Sequence, residues 1–301
     1  MATHTPFPGR CLPRRGAAWS VAIALAVTGC LRPEAPPTER LAPVVTAAAP
    51  LLNGIKATKD AGQVAHAGDL VLVGPAWPRL GWTGSAPEPT GPRDSAMAEL
   101  RLAPGGSIYY GFVSDLGPAV EVPSARWLCE QLAGADGALR SRLGACAALL
   151  RRVRTADGRL VAFVEHPEDA WPIATFGGAG LIARAKADAM TSSRLVATRA
   201  GPLLLTTTRW RRAEGTWTGG ALAPYLLGAE RIVRLATLPL DEVDAREAAK
   251  VMNRTVSLSR EGDTVRLSGE RIEVDRADGR VLTRAVIQEA YDLGQLAERG
   301  E

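Results

Sequence analysis

Glu165-His166-Pro167-Glu168-Asp169 packs one imidazole and three carboxylates into five residues. Such a group could hold a divalent metal or run general acid–base chemistry, because imidazole titrates near neutrality and carboxylates act as ligands or second proton carriers. It equally describes a solvated turn: Pro167 ends strand pairing, and carboxylates gather in turns for solvation alone. His66 has Asp69 three residues on, with nothing else converging locally. Phe176-Gly177-Gly178-Ala179-Gly180 would aim backbone N–H groups at an anion if a helix followed over 181–190. Its spacing is neither a dinucleotide fingerprint nor a P-loop, so a flexible joint or tight packing point is the alternative. Gly-x-Ser-x-Gly, Ser-x-x-Lys and His-Glu-x-x-His are absent. No cofactor and no metal are expected, and a catalytic site would have to be assembled from residues distant in sequence.

The N-terminus carries a different chemistry. Arg10, Arg14 and Arg15 precede an apolar stretch from Ala17 to Val27, which ends on Thr28-Gly29-Cys30. The stretch is too short to span a bilayer, which needs about 20 apolar residues, and its layout is that of a secretory signal. Val27-Thr28-Gly29-Cys30 resembles the lipobox of bacterial lipoproteins. That resemblance covers residues 1–30 and implies cleavage before Cys30, acylation of Cys30 and attachment to membrane lipid. Leu31 follows where an inner-membrane retention aspartate would stand, so the resemblance implies an outer-membrane protein facing the periplasm. Arginines 10, 14 and 15 are the only charged residues before Cys30, so cleavage takes the net charge from +4 to +1. A body so near neutrality does not steer toward nucleic acid. Only Lys56, Lys59, Lys186 and Lys250 among the 36 basic residues are lysines, a pattern of coding bias more than of a binding surface.

Export makes the remaining cysteines meaningful. Cys129 and Cys146 form an even pair in an oxidising compartment, with no nearby histidine to complete a metal site. A disulfide is expected, with two buried free thiols as the alternative. It would clamp a helical hairpin: Leu128 and Leu132 precede the Gly134–Gly137 break, Leu139, Leu143 and Leu150 follow it, and Ser124 is a candidate N-cap.

The elements around these residues read mainly as strands. Asp69–Val73, Met97–Leu102 and Ser107–Val113 are short strands, the last two joined at Pro104-Gly105-Gly106. Ala156-Asp157-Gly158 and Ala277-Asp278-Gly279 are hairpin turns. The segment 201–210 turns at Glu214-Gly215 into 216–220, Arg231–Leu238 is another strand, and Thr255–Ser259 turns at 261–263 into Thr264–Leu267. A parity change between Val265/Leu267 and Ile272/Val274 places a turn or bulge at Ser268-Gly269. Asp241, Glu242 and Asp244 before Lys250 and Arg254 follow the charge order of a helix. The stretch 273–287 resembles hairpins of the curved-sheet periplasmic carriers of the LolA/LolB type, which implies a curved sheet. Trp77 and Trp82 fall in a Pro- and Gly-rich loop over 74–94, either a binding loop with two aromatic anchors or a surface loop tucking both rings into the core.

The expected fold is α+β: a predominantly antiparallel sheet, curved or a meander, with a short helical hairpin and one or two further helices. The expected organisation is a signal peptide over 1–29, a proline-rich tether over 30–50, a mixed region over 51–175 and a β-rich region over 176–301, the last two joined as one domain or separate. The expected function is a lipid-anchored envelope protein that binds a partner protein, glycan or lipid. The alternatives are an anchored hydrolase working through Glu165, His166, Glu168 and Asp169, and a structural component of an envelope assembly.

Overall fold

Apolar alternation broken by glycine turns folds into three antiparallel sheets, seen in a computed structural model that describes residues 35–53, 60–77, 96–178, 180–212 and 216–299. The first sheet contains β1 (Thr38–Pro43), β2 (Ala48–Leu52), β3 (Asp60–His66), β4 (Leu70–Trp77), β5 (Met97–Arg101), β6 (Tyr109–Phe112) and β7 (Val120–Pro123), in the order β3-β2-β6-β5-β4-β1-β7. The expected 104–106 turn joins β5 to β6, with Leu100 opposite Tyr109. The tether expected over 30–50 is corrected here. Its second half is β1 and β2, because Leu41, Val44, Ala49 and Leu51 are buried, Leu41 in one core and the other three in the core of this sheet. Prolines alone do not keep a segment solvated when its apolar residues find a core.

The helical hairpin forms, with its second arm divided into two short helices and Leu150 placed on the strand that follows. α1 (Ala125–Ala133) starts at Ser124, whose hydroxyl accepts the Trp127 N–H, and stops at Gly134 with φ +55°. α2 (Gly137–Arg140) is capped by Asp136, and α3 (Leu143–Leu149) follows. The sulfurs of Cys129 and Cys146 lie at disulfide distance, with their Cα atoms 6.0 Å apart and both side chains buried.

The second sheet is β8 (Leu150–Arg154), β9 (Leu160–Val164), β10 (Ile173–Gly177) and β11 (Gly180–Ala185), each strand pairing the next. The Ala156–Gly158 turn joins β8 to β9, with Gly158 at φ +85°. The helix expected after the glycine run is a strand instead. Gly177 pairs with Gly180, which sits at φ +113°, so the glycines make a tight reversal and present no helix terminus. β10 also crosses the expected boundary at 175/176, so the second sheet spans both expected regions. The described residues from Pro36 onward form one compact unit. Strands β8 to β10 are buried on both faces. Leu150, Ala162, Val164, Ala174 and Phe176 face α1 and α3, while Val153, Val161, Phe163 and Ile173 meet the third sheet.

That sheet runs β12 (Met190–Thr198), β13 (Gly201–Arg212), β14 (Trp217–Leu227), β16 (Leu238–Asp244), β17 (Lys250–Glu261), β18 (Thr264–Asp275) and β19 (Val281–Asp292), with β15 (Ile232–Arg234) paired to the end of β14. The expected helix over 241–254 is β16 and β17, with Val243 opposite Asn253 and Asp244 opposite Met252. Dipole complementarity is worth about 0.3–1 kcal/mol, less than the pairing these strands gain on both sides. β18 runs through Ser268-Gly269 without a bulge between those residues. There a Cβ on Gly269 would collide with the Thr255 carbonyl, so the parity change marks close strand approach.

The sheet curls until distant hairpin tips meet. The Arg199 N–H donates to Asp263 at 2.9 Å, and Arg260 donates to the Ala197 carbonyl at 3.0 Å. α4 (Leu293–Arg299) closes the curl by burying Leu293 and Ala297 beside Leu203, Leu238 and Val265. The architecture is predominantly antiparallel β with a curled sheet and four α-helices among the described residues. None of those helices is long and apolar enough to cross a membrane.

Reducing the Cys129–Cys146 link should lower unfolding stability by about 3 kcal/mol. Denaturant titration with and without reductant checks this; unchanged midpoints would remove the disulfide from the structure.

Candidate functional site

Strand β8 carries two adjacent arginines, and neighbours on a strand point to opposite faces. Both faces of β8 are buried, so each guanidinium needs its own partner. Arg151 reaches Asp69 at 3.3 Å and Glu165 at 2.8 Å, and Glu165 also accepts the Ser193 hydroxyl. Arg152, 1% exposed, pairs with Glu39, whose carboxylate also accepts the Ala125 N–H at 2.6 Å in the first turn of α1. Burial draws the Arg152 pKa down, and the Glu39 charge opposes that shift.

His66 lies beside this network, its backbone N–H donating to Asp69 at 2.9 Å. Burial first, and then the charge of Arg194, hold the imidazole below its ordinary pKa against the opposing pull of Asp69, so it is neutral at pH 7. Histidine, serine and carboxylates therefore meet here, with arginines occupying the carboxylates. The Ser193 hydroxyl donates to a carboxylate already held by Arg151, which is a tie between sheets and not an activated nucleophile.

The sequence-derived cluster is divided by the fold. Glu165 turns inward to Arg151 and Ser193, while Glu168 is exposed. His166 accepts the backbone N–H groups of Glu168 and Asp169 through Nδ1, at 3.3 and 3.0 Å. Asp169 pairs with Arg142 just before α3. His166 thus caps the turn, its Nδ1 also 3.3 Å from the Asp169 carboxylate, while Glu165 is held by Arg151 and Ser193 instead. No group of three or more His, Cys, Asp or Glu suited to a metal ion occurs among the described residues. Trp77 ends β4 opposite Met97. Trp82 and Cys30 lie outside the described residues.

Sequence reasoning missed a different place. On β14, Gly219-Gly220 faces a register shift where three residues of β16 oppose two. A Cβ on Gly219 would strike the Trp210 ring and lie 2.7 Å from the Asp241 carbonyl, so the indole lies across the glycine. Beside it is a cavity of about 240 Å³ lined by Arg209, Trp210, Thr218, Asp241, Glu242 and Val243 together with the two glycines. The Trp210 indole N–H is buried with no acceptor among the described residues.

A second tryptophan borders the same strands. The Trp217 indole donates to Glu242 at 2.6 Å, with the Arg246 and Arg212 guanidinium carbons 4.1 and 5.2 Å from its ring centre. Arg246 also pairs with Asp244, holding that carboxyl at about 2. The place therefore combines indole surface, carboxylate acceptors and guanidinium donors. Its one sequence signal was a glycine pair inside a strand, which marks close backbone approach.

No family model matches the chain, and no curated protein matches it. Among solved structures, the beta-propeller domain of Myceliophteria thermophila Cps50 (Swd1) is similar at 16% identity and a TM-score of 0.27, covering 64% of this chain and 57% of that one. A similarity of that size carries no argument about this chain's fold or role.

Two outcomes follow from the charge pairs. Glu39→Ala should cost about 3–5 kcal/mol by leaving Arg152 buried and unpaired, and Glu39→Leu with Arg152→Met should recover much of it; equal losses in urea titrations would refute the pairing. Asp244, depressed in the folded state, stabilises the fold above its unfolded pKa and loses that contribution as pH falls toward 2. In an NMR titration, Arg246→Ala should move the Asp244 midpoint up toward 3.8.

Proposed function

We propose that this chain is a lipid-anchored cell-envelope protein that binds a ligand without turning it over. The observation that carries the binding reading is the cavity where Trp210 lies across Gly219, beside Arg209, Asp241 and Glu242. An indole face packs against the C–H face of a sugar, and flanking carboxylates and guanidinium groups match its hydroxyls, so the ligand class is an envelope glycan. The hydrolase reading is less supported, because Glu165 is held by Arg151 and Ser193 while His166 and Asp169 contact each other in the turn.

The anchor reading rests on Val27-Thr28-Gly29-Cys30 behind a basic and then apolar segment. Leu31 after the cysteine supports outer-membrane placement facing the periplasm. More than one acyl chain holds a protein stably on a bilayer. The Cys129–Cys146 pair, set at disulfide distance, suits an oxidising compartment.

The test uses the full chain in detergent with envelope polysaccharide fragments, followed by calorimetry. Wild type should bind, and Trp210→Ala should bind about tenfold or more weakly, since a stacked aromatic is worth about 0.5–1.5 kcal/mol beyond its buried area. Equal binding by both proteins overturns the cavity as the site. In fractionated cells, Cys30→Ser should leave the membrane fraction; retention there overturns the anchor.

A further inference from the structure

β19 is the last strand of the third sheet, and among the described residues its pairing is to β18 alone. An open edge of twelve residues offers unpaired N–H and C=O groups to any strand that can lie beside it. Monomeric proteins blunt such edges with lysine, proline or short length. β19 reads VLTRAVIQEAYD, with neither lysine nor proline. It also gathers exposed apolar side chains: Val286 is 76% exposed, the most of any large hydrophobic among the described residues, with Val281 at 49% and Leu282 at 42%. Its cation is already matched, because Arg284 lies 3.2 Å from Glu270 on β18.

We propose that this edge pairs with the β19 edge of a second copy of the chain, antiparallel and two-fold symmetric, centred on Val286. The occupant and register are argued from side-chain complementarity. A two-fold axis normal to a sheet pairs residues that lie on the same face, so facing residues have numbers of equal parity. Centred on Val286, the contact sets Val286 against itself, Ala285 against Ile287, Leu282 against Ala290 and Val281 against Tyr291. Arg284 then faces Gln288, and Thr283 faces Glu289. Apolar groups meet apolar groups, and each charge meets a neutral hydrogen-bonding side chain. Centring on Arg284 or Glu289 would oppose like charges, which destabilises a cross-strand pair. Shifting the centre to Ala285 would set Arg284 against Val286 and Val281 against Glu289. The Val286 register is the one that leaves no charge facing an apolar side chain or its own kind. One strand pair makes a small interface, so the association depends on concentration.

The test is site-directed cross-linking of the full chain in detergent with a short bis-maleimide, read by mass spectrometry against the unsubstituted chain, which sets the background. Val286→Cys should give a peptide joined to its own copy. Gln288→Cys should not, because its copies would stand about 14 Å apart at about 3.4 Å per residue. Arg284→Cys mixed with Gln288→Cys should give the heterologous link. Val286→Lys, placed at a solvent-exposed position and checked for folding by circular dichroism, should raise the dimer dissociation constant about tenfold or more by sedimentation, through like charges set face to face. Absence of the Val286→Cys self-link, or a Gln288→Cys self-link of equal yield, overturns the proposal and leaves the edge to a strand of a different protein.

Discussion

The buried charge on β8 is the constraint around which the three sheets are arranged. Arg151 and Arg152 cannot both reach water from a strand covered on each face, and an unpaired buried guanidinium would cost several kcal/mol. Each face must therefore deliver a carboxylate. Glu39 comes from β1 and is shared with the first turn of α1, so one ion pair sets the first sheet, the helical hairpin and the second sheet against one another. Asp69 and Glu165 answer Arg151, and Glu165 in turn holds Ser193 of the third sheet. Nearby backbone bonds follow the same seam: the Arg154 N–H donates to the Gly68 carbonyl at 2.7 Å, and Gly68 sits at φ +93° with the Arg154 carbonyl 2.5 Å from where a Cβ would lie.

This seam accounts for what the carboxylates and histidines near it do. Glu39, Asp69 and Glu165 are consumed in joining layers, whereas His166 and Asp169 hold the turn after β9. The cavity beside Trp210 lies on β13, β14 and β16 of the curled sheet, where curvature forces compromises. A curled antiparallel sheet needs register shifts and residues without side chains. At Gly219 and Gly220 the shift against β16 and the missing Cβ let an indole lie flat on the strand and leave a cavity beside it. The same sheet ends in β19, which among the described residues pairs with β18 alone.

Much of the local structure was legible. Turn chemistry identified the hairpins at Gly158, Gly262 and Gly279, all of which sit at positive φ. Leucine spacing and Ser124 identified the helical pair, and its two cysteines come together. Legibility failed where a weak local signal met a strong distant one. The charge order over 241–254 suits a helix, yet strands on both sides claim those residues. Proline suggested a tether over 30–50, yet Leu41 and Val44 are buried. The candidate site was nearly invisible, since Trp210 and Gly219 read locally as two ordinary flanks of a turn.

What the sequence by itself determined is several of the strands, most of the hairpin turns and the helical hairpin. These depend on φ preferences, alternation and capping, which act within a few residues. Tertiary structure decided which charges are buried, which carboxylates remain available, where the sheet must bend and which edge stays open. Glu39 and Arg152 stand 113 residues apart, and no local pattern can announce that one will neutralise the other. Partner choice for a buried charge is settled by which strands come to lie beside it, and that is a property of the whole packed chain.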